Sequence, residues 1–351
     1  MIPIITVIVP IHNEEKYIDR LMESLQDQTH RRLQIILVDG GSTDSSPQIC
    51  DRWASRWNMG PDTNMGIVEV IHTADKGVSV SRNTGLSHAT GEYVTFVDGD
   101  DWLDKEALEK MLKGIQDTGA ELCGCDFKSI FPDPENDTQT AAESGNGARN
   151  DDGNEDKTSE VSVFSPDEFI AGHILAGDVH VWGRLYKREL IGTLRFRDGL
   201  TIGEDMLFVT EYAGKCTKIA HMSYRGYNYF RNPHGAMLKP FSPAAMDQIR
   251  CFEYERTLLE KLAPDLSFGD GLRSNMLIGV MLTAGRIAML DKAIRKDEEH
   301  KGYVKKLKST VKEYKSRGAM KRLDRGYRLK VRLFKFSPGL YLGLYHRYKG
   351  K

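Results

Sequence analysis

The chain has 351 residues, of which 40% are hydrophobic and 28% are charged, a composition typical of a globular protein. No apolar run approaches the roughly 20 residues that cross a bilayer, and the opening MIPIITVIVP lacks the basic start and small-residue cleavage site of a secretory signal. The five cysteines are odd in number and mostly scattered, which indicates buried thiols in a reducing compartment. We therefore expect a cytoplasmic protein.

The formal net charge of −1 conceals an uneven distribution. Residues 301–351 contain 17 lysines and arginines against two acids, Glu313 and Asp324, whereas the preceding 300 residues are acidic overall. A basic tail on an acidic body indicates an anionic partner for the tail, either a membrane surface or a nucleic acid.

Short apolar runs alternate with helical patterns over residues 4–125. The predicted strands and helices are, in chain order, strand 4–9, helix 14–26, strand 33–38, helix 47–57, strand 66–72, helix 80–88, strand 92–97 and helix 105–116. This alternation predicts βαβ units and a mostly parallel sheet with helices on both faces. Ligands of such sheets bind beyond the carboxyl ends of the strands, which is where Asp39 and Asp98 fall.

The rest of the chain divides by composition. Residues 132–160, PDPENDTQTAAESGNGARNDDGNEDKTSE, are polar and low in complexity, which predicts a disordered insertion. Order resumes at residue 161, residues 243–295 have helical patterns, and the basic tail follows. The predicted segments are therefore 1–131, 132–160, 161–240 and 241–351.

The stretch ILVDGGSTDSS runs from a strand into a turn. Asp39 at the strand end is suited to accept a hydrogen bond from a base N–H or a ribose hydroxyl. The alternative is a capped turn in which Ser42 or Asp44 caps the following helix. Neither a G-x-G-x-x-G nor a Walker signature is present.

The stretch YVTFVDGDDWLD places four acidic residues directly after an apolar strand. Asp98 and Asp100 are two residues apart and project toward one face, while Gly99 permits a tight turn between them. A divalent cation would relieve their repulsion, and these hard oxygen ligands suit Mg²⁺ or Mn²⁺. Asp101 or Asp104 capping the next helix is an alternative that is compatible with metal binding by the others.

In GEDMLFVTEYAG, Glu204 and Asp205 precede an amphipathic helix. Either carboxylate is suited to act as a general base that takes a proton from an attacking hydroxyl. The alternative is compensation of the helix dipole at its amino terminus.

Together these stretches resemble the family 2 glycosyltransferases, which have the GT-A fold. The matching stretches, in family order, are VIVPIHNEEKYIDRLMESLQDQTHRRLQIILVDGGSTDSS, KGVSVSRNTGLSHATGEYVTFVDGDDWL, WGRLYKREL and GEDMLF. WGRLYKREL resembles the bacterial capsule and exopolysaccharide transferases in particular. The resemblance covers about two thirds of the chain and implies an α/β, Rossmann-like sheet flanked by helices. Beyond about residue 240 no family motif is present, and the helical patterns and basic charge there predict a helical, basic carboxy-terminal extension.

The resemblance implies a role for each matching residue. The residues implied to line the nucleotide are Pro10, His12, Asn13 and Glu15, and Asp39 is implied to bind the base. Lys76, Arg82 and Asn83 are implied to lie on the sugar and diphosphate side. Asp98 is implied to lie near the ribose and the metal, and Asp100, with Asp101 beside it, is the implied chief metal ligand. Asp205, or else Glu204, is the implied base. Gly40 stands where the family often has a second acid, so a role of that acid is lost. His234 is either a ligand of the diphosphate or metal, or a loop histidine.

The implied reaction is an inverting transfer, dependent on Mn²⁺ or Mg²⁺, from a nucleotide-sugar, with UDP as the expected nucleotide. The acceptor is a hydroxyl of a saccharide or polyprenyl-linked saccharide in cell-surface polysaccharide synthesis. Residues 1–131 then form the nucleotide-sugar half, 161–240 the acceptor half, and 241–351 a helical region. Two alternatives are a haloacid-dehalogenase-like phosphohydrolase with Asp98 as nucleophile, where Trp102 departs from the pattern, and a non-catalytic binding protein of this fold.

The end of the tail, YRLKVRLFKFSPGLYLGLYHRYKGK, mixes apolar and basic residues and contains no acid. Leu329, Leu333, Phe334 and Phe336 are predicted to share one helical face in part before Pro338 interrupts the pattern. This composition predicts peripheral binding to the anionic inner face of the membrane. The alternatives are a solvated basic helix and an oligomer contact. Nucleic-acid binding is not expected, because no RNA-binding module is recognisable.

Overall fold

The computed structural model of the protein describes residues 2–60, 66–74, 77–132, 160–233 and 240–349. The strands within these residues are β1 (Ile5–Ile11), β2 (Leu33–Asp39), β3 (Gly66–His72), β4 (Tyr93–Phe96), β5 (Trp102–Leu103), β6 (Leu122–Ile130), β7 (Val161–Phe164), β8 (Arg184–Lys187) and β9 (Ile219–Phe230). The helices are α1 (Ile18–Gln26), α2 (Ser46–Asn58), α3 (Val78–His88), α4 (Ala107–Thr118), α5 (Pro166–Gly172), α6 (Arg188–Ile191), α7 (Glu204–Ala213), α8 (Asp247–Leu262), α9 (Pro264–Ser267), α10 (Asp270–Met289), α11 (Glu298–Tyr314), α12 (Arg317–Arg322), α13 (Arg325–Phe336) and α14 (Pro338–Lys349).

The strands form one sheet in the order β3-β2-β1-β4-β8-β6-β9-β5, with β7 also beside β9. The first four strands are parallel, with Ile5 of β1 level with Leu33 of β2 and Tyr93 of β4. Antiparallel pairs follow wherever β8, β5 or β7 takes part. All residues of β1 and β2 are buried, as expected for central parallel strands covered on both faces. The predicted α/β sheet is confirmed, and its second half is mixed.

The predicted strands and helices of residues 4–118 are all present, with shifted ends. The largest shift is at α1, which begins at Ile18 instead of Glu14. The backbone N–H groups of residues 13–15 donate to side chains of the loop after β2 and of Ser46, the first residue of α2, so this segment is hydrogen-bonded across to that region. All five cysteines are buried, as predicted, and Cys123 and Cys125 lie on β6.

The chain divides into two compact units. Unit 1 comprises Met1–Phe169, His180–Asp198 and Tyr212–Gly235, and contains the whole sheet. Unit 2 comprises Ile170–Val179, Gly199–Glu211 and Ala236–Lys351. The segment boundaries predicted from composition stay a prediction, and most of the proposed insertion, 133–159, lies outside the described residues.

Unit 2 is built around α10, which is buried on most of its circumference. A helix that is apolar on all sides belongs in a core. Glycines let its neighbours come close: a Cβ on Gly279 would lie 2.9 Å from the ring of Phe252, and one on Gly285 would lie 3.1 Å from Tyr345. No helix within the described residues combines the length and the apolar composition that crossing a membrane requires.

The end of the tail folds as two helices, α13 and α14, that share this core. Pro338 interrupts the pattern as predicted, because α13 ends at Phe336 and α14 begins at Pro338. Among the four residues predicted to share one face in part, Leu329 and Phe336 are exposed, whereas Phe334 is fully buried, with its ring 5.4 Å from that of Tyr341. Packing against α14 selects the side of α13 that carries Phe334, which periodicity within α13 alone cannot reveal.

Candidate active site

The carboxyl ends of β1, β2 and β4 lie side by side in unit 1. Ile11 is level with Asp39, the Gly40 N–H donates to the Ile11 carbonyl at 2.9 Å, and the Val97 N–H donates to the Ile8 carbonyl at 3.1 Å. Because the strands are parallel and in register, the loops that follow them meet at one edge of the sheet. Pro10 lies inside β1, level with Val38.

Hydrogen bonds join the loop after β1 to the loop after β2. Asn13 has a φ of 60°, uncommon for a residue other than glycine, and its Oδ1 accepts from the Thr43 N–H at 2.7 Å. Glu15 accepts from the Ser45 N–H at 2.9 Å, and His12 Nδ1 lies 3.1 Å from the Gly40 carbonyl oxygen. The polar atoms of these three residues thus fix the shape of the loops, and their contact with a nucleotide stays a prediction.

Asp39 is almost fully buried at the end of β2. Its Oδ1 accepts from the Ser42 N–H at 2.9 Å, and its Oδ2 lies 3.2 Å from Nδ1 of His72. The interpretation that Ser42 or Asp44 is the N-cap of α2 is wrong, because Ser45 holds that position. His72 also reaches Asp51 at 3.1 Å through Nε2. Burial alone would lower the pKa of His72, but its hydrogen bonds to Asp39 and Asp51 outweigh burial and raise that pKa.

Four carboxyl groups gather beyond β4, three of them in DGDD. The fourth is Glu14, whose Oε2 is buried and has no hydrogen-bond partner among the described residues. Burial raises the pKa of Glu14 well above its usual value, and the charges of Asp100, Asp98 and Asp101 add to the effect. Gly99 leaves the room for Glu14, because a Cβ there would fall 1.6 Å from Glu14 Oε2.

Asp100 and Asp98 are the outer members of this acidic cluster. Burial raises the pKa of Asp100, the charge of Asp98 raises it further, and a hydrogen bond from Asn232 at 3.0 Å opposes the shift. Asp98 pairs with the buried Arg82 at 2.9 Å. These two predicted residues therefore do lie in one cluster.

Asp101 is the inner member and is fully buried. It accepts from the Tyr227 hydroxyl at 2.6 Å and from the Phe230 N–H at 2.7 Å. The same Tyr227 oxygen accepts from the Asp98 N–H at 3.2 Å. Asp101 thus ties the DGDD turn to β9. Asp104 accepts from Lys128 and Asn228, so the interpretation that either aspartate side chain caps α4 is wrong.

Two arginines, Arg82 and Arg20, bring positive charge to the acidic cluster. Arg20 donates to the Asp100 carbonyl at 2.7 Å, and its guanidinium lies 3.8 Å from the ring centroid of Trp102. Burial lowers the pKa of Arg20 to about 10, against the opposing charges of Asp101 and Asp100.

The amide of Asn83 forms two 2.8 Å hydrogen bonds with the main chain of Phe196, so this predicted site residue also positions the chain after α6.

The acidic cluster suits a divalent cation. Its donors are hard carboxylate oxygens, one of them a buried oxygen without a partner among the described residues, and burial together with mutual repulsion raises the pKa values of Glu14 and Asp100. Among the described residues of unit 1, no three His, Cys, Asp or Glu ligand atoms lie within 4.8 Å of one another. This geometry fits an ion that takes one or two carboxylates and completes its shell with phosphate oxygens and water, as Mg²⁺ commonly does.

Unit 2 carries the predicted base. Glu204 is buried and Asp205 half-buried in the first turn of α7. Helix α8 holds this turn: the Cys251 thiol donates to the Ile202 carbonyl at 2.9 Å, and a Cβ on Gly203 would lie 2.8 Å from the Cβ of Cys251. Lys76 and His234, the remaining predicted residues, lie outside the described residues.

Sequence patterns missed Glu14, Arg20, His72, Tyr227 and Asn232. Glu14 adjoins the predicted Glu15 in HNEE, but only the loop geometry distinguishes which of the two faces DGDD. Tyr227 and Asn232 come from or follow β9, more than 120 residues along the chain from the cluster they contact. No local motif in the sequence marks them.

The family model for glycosyl transferase family 2 matches residues 6–194 of this chain. The chain belongs to this family. It is a glycosyltransferase, and the resemblance seen in the sequence motifs is confirmed. The matched region includes Asp39, Asp98 and Asp100, and it ends before Glu204 and Asp205.

Individual relatives and solved structures agree with this family. "Uncharacterized glycosyltransferase EpsJ" of Bacillus subtilis (strain 168) is 29% identical over 71% of this chain and 67% of its own length. The next two curated relatives are aligned over only 27% and 59% of their own lengths. The structure of S. aureus TarS 1–349 with UDP-GlcNAc is similar over 99% of this chain and 91% of TarS 1–349, with a TM-score of 0.63 and 18% identity. GalNAc-T7 with UDP, GalNAc and Mn²⁺ is similar over 74% of this chain and 50% of its own, with a TM-score of 0.51 and 16% identity. These similarities show the GT-A-type fold.

Proposed function

We propose that the protein moves a sugar from a UDP-sugar to a hydroxyl of a saccharide or polyprenyl-linked saccharide acceptor, with inversion at the anomeric carbon. The observation that carries this proposal is the edge of unit 1 where Asp39, Asp98 and Asp100 follow strands of one parallel sheet. This edge is where open α/β sheets bind ligands, and the family model covers it. The UDP-GlcNAc and UDP complexes of TarS support a UDP-linked donor.

In the proposed complex, Asp39 accepts a hydrogen bond from the base. Its buried carboxylate is already oriented by the Ser42 N–H and by His72, so little orientation freedom is lost on binding. The loop after β1, with Pro10, His12, Asn13 and Glu15, lines the nucleotide. Asp98 faces the ribose while Arg82 holds its other side, and Lys76 and Asn83 belong to the sugar and diphosphate side.

We place a divalent cation, Mn²⁺ or Mg²⁺, at Asp100, with Asp98 as a further carboxylate. The cation would stabilise the charge of the departing diphosphate as a Lewis acid. The buried carboxyl groups of Asp100 and Glu14 support a cation here, because burial and the neighbouring carboxylates raise their pKa values and a bound cation would favour their ionised forms. Mn²⁺ in the GalNAc-T7 complex supports the same choice.

Asp205 is the proposed general base, and Glu204 is the alternative. A carboxylate in this role takes the proton of the acceptor hydroxyl as that oxygen attacks the anomeric carbon. A single displacement of this kind inverts the configuration. The half-buried Asp205 is more accessible to an acceptor than Glu204, which supports the assignment.

The proposed setting is cell-surface polysaccharide synthesis on the cytoplasmic side of the membrane. The name of TarS, a poly(ribitol-phosphate) β-N-acetylglucosaminyltransferase, supports a surface-polymer acceptor. The phosphohydrolase alternative is disfavoured by the family match and by Arg82, which pairs with Asp98, the proposed nucleophile of that alternative. Intact Asp98, Asp100 and Asp205 likewise disfavour a non-catalytic protein.

The test is incubation with radiolabelled UDP-sugars, with and without Mn²⁺. Transfer to a saccharide acceptor, or slow metal-dependent hydrolysis of one UDP-sugar when no acceptor is present, supports the proposal. Phosphate release from phosphomonoesters would support the phosphohydrolase instead. Thermal-shift titration with UDP, GDP, CDP and Mn²⁺ separates these outcomes from simple binding. If no nucleoside diphosphate raises the melting temperature, the donor assignment is wrong.

A further inference from the structure

The tail helices leave large apolar side chains in solvent. Leu329 and Phe336 on α13 are 67% and 82% exposed. On α14, Leu340, Leu344 and Tyr348 are 48%, 45% and 78% exposed. We call these five side chains the tail face.

The residues of the tail face lie on one side of each helix, as their spacing shows. Leu340, Leu344 and Tyr348 are four residues apart on α14, and Leu329 and Phe336 are seven apart on α13, so each set lies on one side. The other sides are anchored in the core of unit 2 through Val331, Phe334, Tyr341 and Leu342. Both helices are therefore docked, and their exposed apolar sides do not come from failure to pack.

Cations surround the tail face. Arg325, Arg332 and Lys335 of α13 and Arg347 of α14 are exposed, and residues 325–349 contain no acid. Within the described part of the chain, none of these cations forms an ion pair. Burial and the charges of Lys335 and Arg332 lower the pKa of Lys315. Positive charge is thus concentrated here without neutralisation by the protein.

We propose that the tail face is a membrane-docking surface that inserts its apolar side chains among the headgroups of an anionic lipid layer. Exposed leucine and aromatic side chains suit the apolar acyl chains of a bilayer, and the bordering arginines and lysines suit its anionic headgroups. Each cation near an anionic leaflet adds to the attraction, so several act together. A second copy of this chain would bring the same cations into mutual repulsion, which disfavours self-association as the use of this face.

The first test is flotation of the full chain with vesicles of phosphatidylcholine, with and without phosphatidylglycerol, at low and high salt. We expect binding only with phosphatidylglycerol, and weaker binding at high salt because salt screens the charge attraction. If the protein stays at the bottom of the gradient with anionic vesicles at low salt, the proposal is wrong. The test requires no sugar transfer, so its failure is distinct from failure of the proposed function.

The second test assigns binding to these residues. The variant Phe336→Ser/Leu340→Ser/Leu344→Ser should lose binding by at least about tenfold, as expected for removing three apolar anchors. The control Met59→Ser/Phe268→Ser removes exposed apolar residues elsewhere and should bind like the original chain. Equal loss in both variants would overturn the assignment. Circular dichroism melting of each variant verifies the fold.

Charge is tested by a matched pair of variants. Arg325→Gln/Arg332→Gln should weaken binding several-fold, whereas Lys305→Gln/Lys312→Gln removes the same charge from exposed positions of α11 and should have a smaller effect. Equal effects would mean that net charge alone attracts the protein, contrary to the proposal. Light scattering measures the oligomeric state. A dimer that dissociates in Phe336→Ser would identify the tail face as a contact between copies and would also overturn the proposal.

Discussion

His72 connects Asp39 to Asp51: its Nδ1 lies 3.2 Å from Asp39 Oδ2, and its Nε2 lies 3.1 Å from Oδ1 of Asp51 on α2. The charged groups facing the imidazole are these two carboxylates, from the end of β2 and from α2. These contacts orient the Asp39 carboxylate, which Gly40 follows directly in the chain.

Donor affinity should therefore depend on the protonation of His72. Its pKa is raised, so the imidazolium and its charge-assisted bond to Asp39 are fully present below about pH 6.5 and are lost as pH rises through the raised value. We expect UDP binding, followed by calorimetry without metal, to weaken about fivefold across this range, which corresponds to about 1 kcal/mol. In His72→Gln the pH dependence should disappear. An unchanged profile in this variant would show that another group titrates.

Gly99 and Glu14 form a second coupled pair. A Cβ at residue 99 would lie 1.6 Å from Glu14 Oε2 and 2.9 Å from Ile11 Cδ1, so Gly99→Ala should destabilise the fold by about 1–3 kcal/mol through overpacking. Glu14→Ala should relieve this clash, so the double variant should be more stable than the sum of the single effects predicts. Urea unfolding of all four proteins gives the coupling energy. Additive effects would mean that Glu14 does not occupy the space over Gly99.

The sequence predicted the first half of the sheet because β1 and β2 are nearly continuous apolar runs and the helices between the first strands have clear apolar periodicity. It also located Asp39, Asp98 and Asp100, since strand ends with acids and glycines are local features. The sequence did not reveal Tyr227 or Asn232, whose contacts with DGDD depend on how β9 joins the sheet. The burial of Phe334 was missed for the same reason, because it depends on packing against α14.

Asp100→Ala should abolish metal-dependent nucleotide binding while the fold survives. Removing one carboxylate relaxes the repulsion that raises the pKa values of Glu14 and Asp101, so the melting temperature without ligand should not fall markedly. The measurement is the thermal shift produced by UDP with Mn²⁺. Asp117→Asn, an exposed carboxylate on α4, serves as the control. Wild-type turnover in Asp100→Ala would exclude Asp100 as the metal ligand.

Asp205→Asn should leave donor affinity nearly unchanged and reduce transfer by about 10²–10⁴-fold, the usual contribution of a positioned base. Turnover and UDP affinity are measured on the same preparation to separate the two effects. A parallel loss of UDP affinity would identify Asp205 as a binding or structural residue. A catalytic defect in Glu204→Gln but not in Asp205→Asn would transfer the role to Glu204.

Glu255 on α8 should make unit 2 less stable as pH rises. Its carboxyl group is fully buried, accepts from Thr210 Oγ1 of α7 at 2.8 Å, and has a second oxygen without a partner, so burial raises its pKa to about 8. The unfolded chain releases this proton near pH 4.3, so the stability that the protonated group supplies is complete below that pH and declines until about pH 8. Glu255→Gln keeps the size of the side chain and an acceptor for Thr210 but cannot ionise. We expect the variant to gain stability relative to the original chain across this window, with the difference in unfolding free energy growing from pH 5 to pH 8. Chemical denaturation at several pH values measures the unfolding free energy of both proteins. Other titrating carboxyl groups, such as Glu14, contribute equally to both, so their contributions cancel in the difference. A difference that does not change with pH would show that Glu255 does not retain its proton in the folded state.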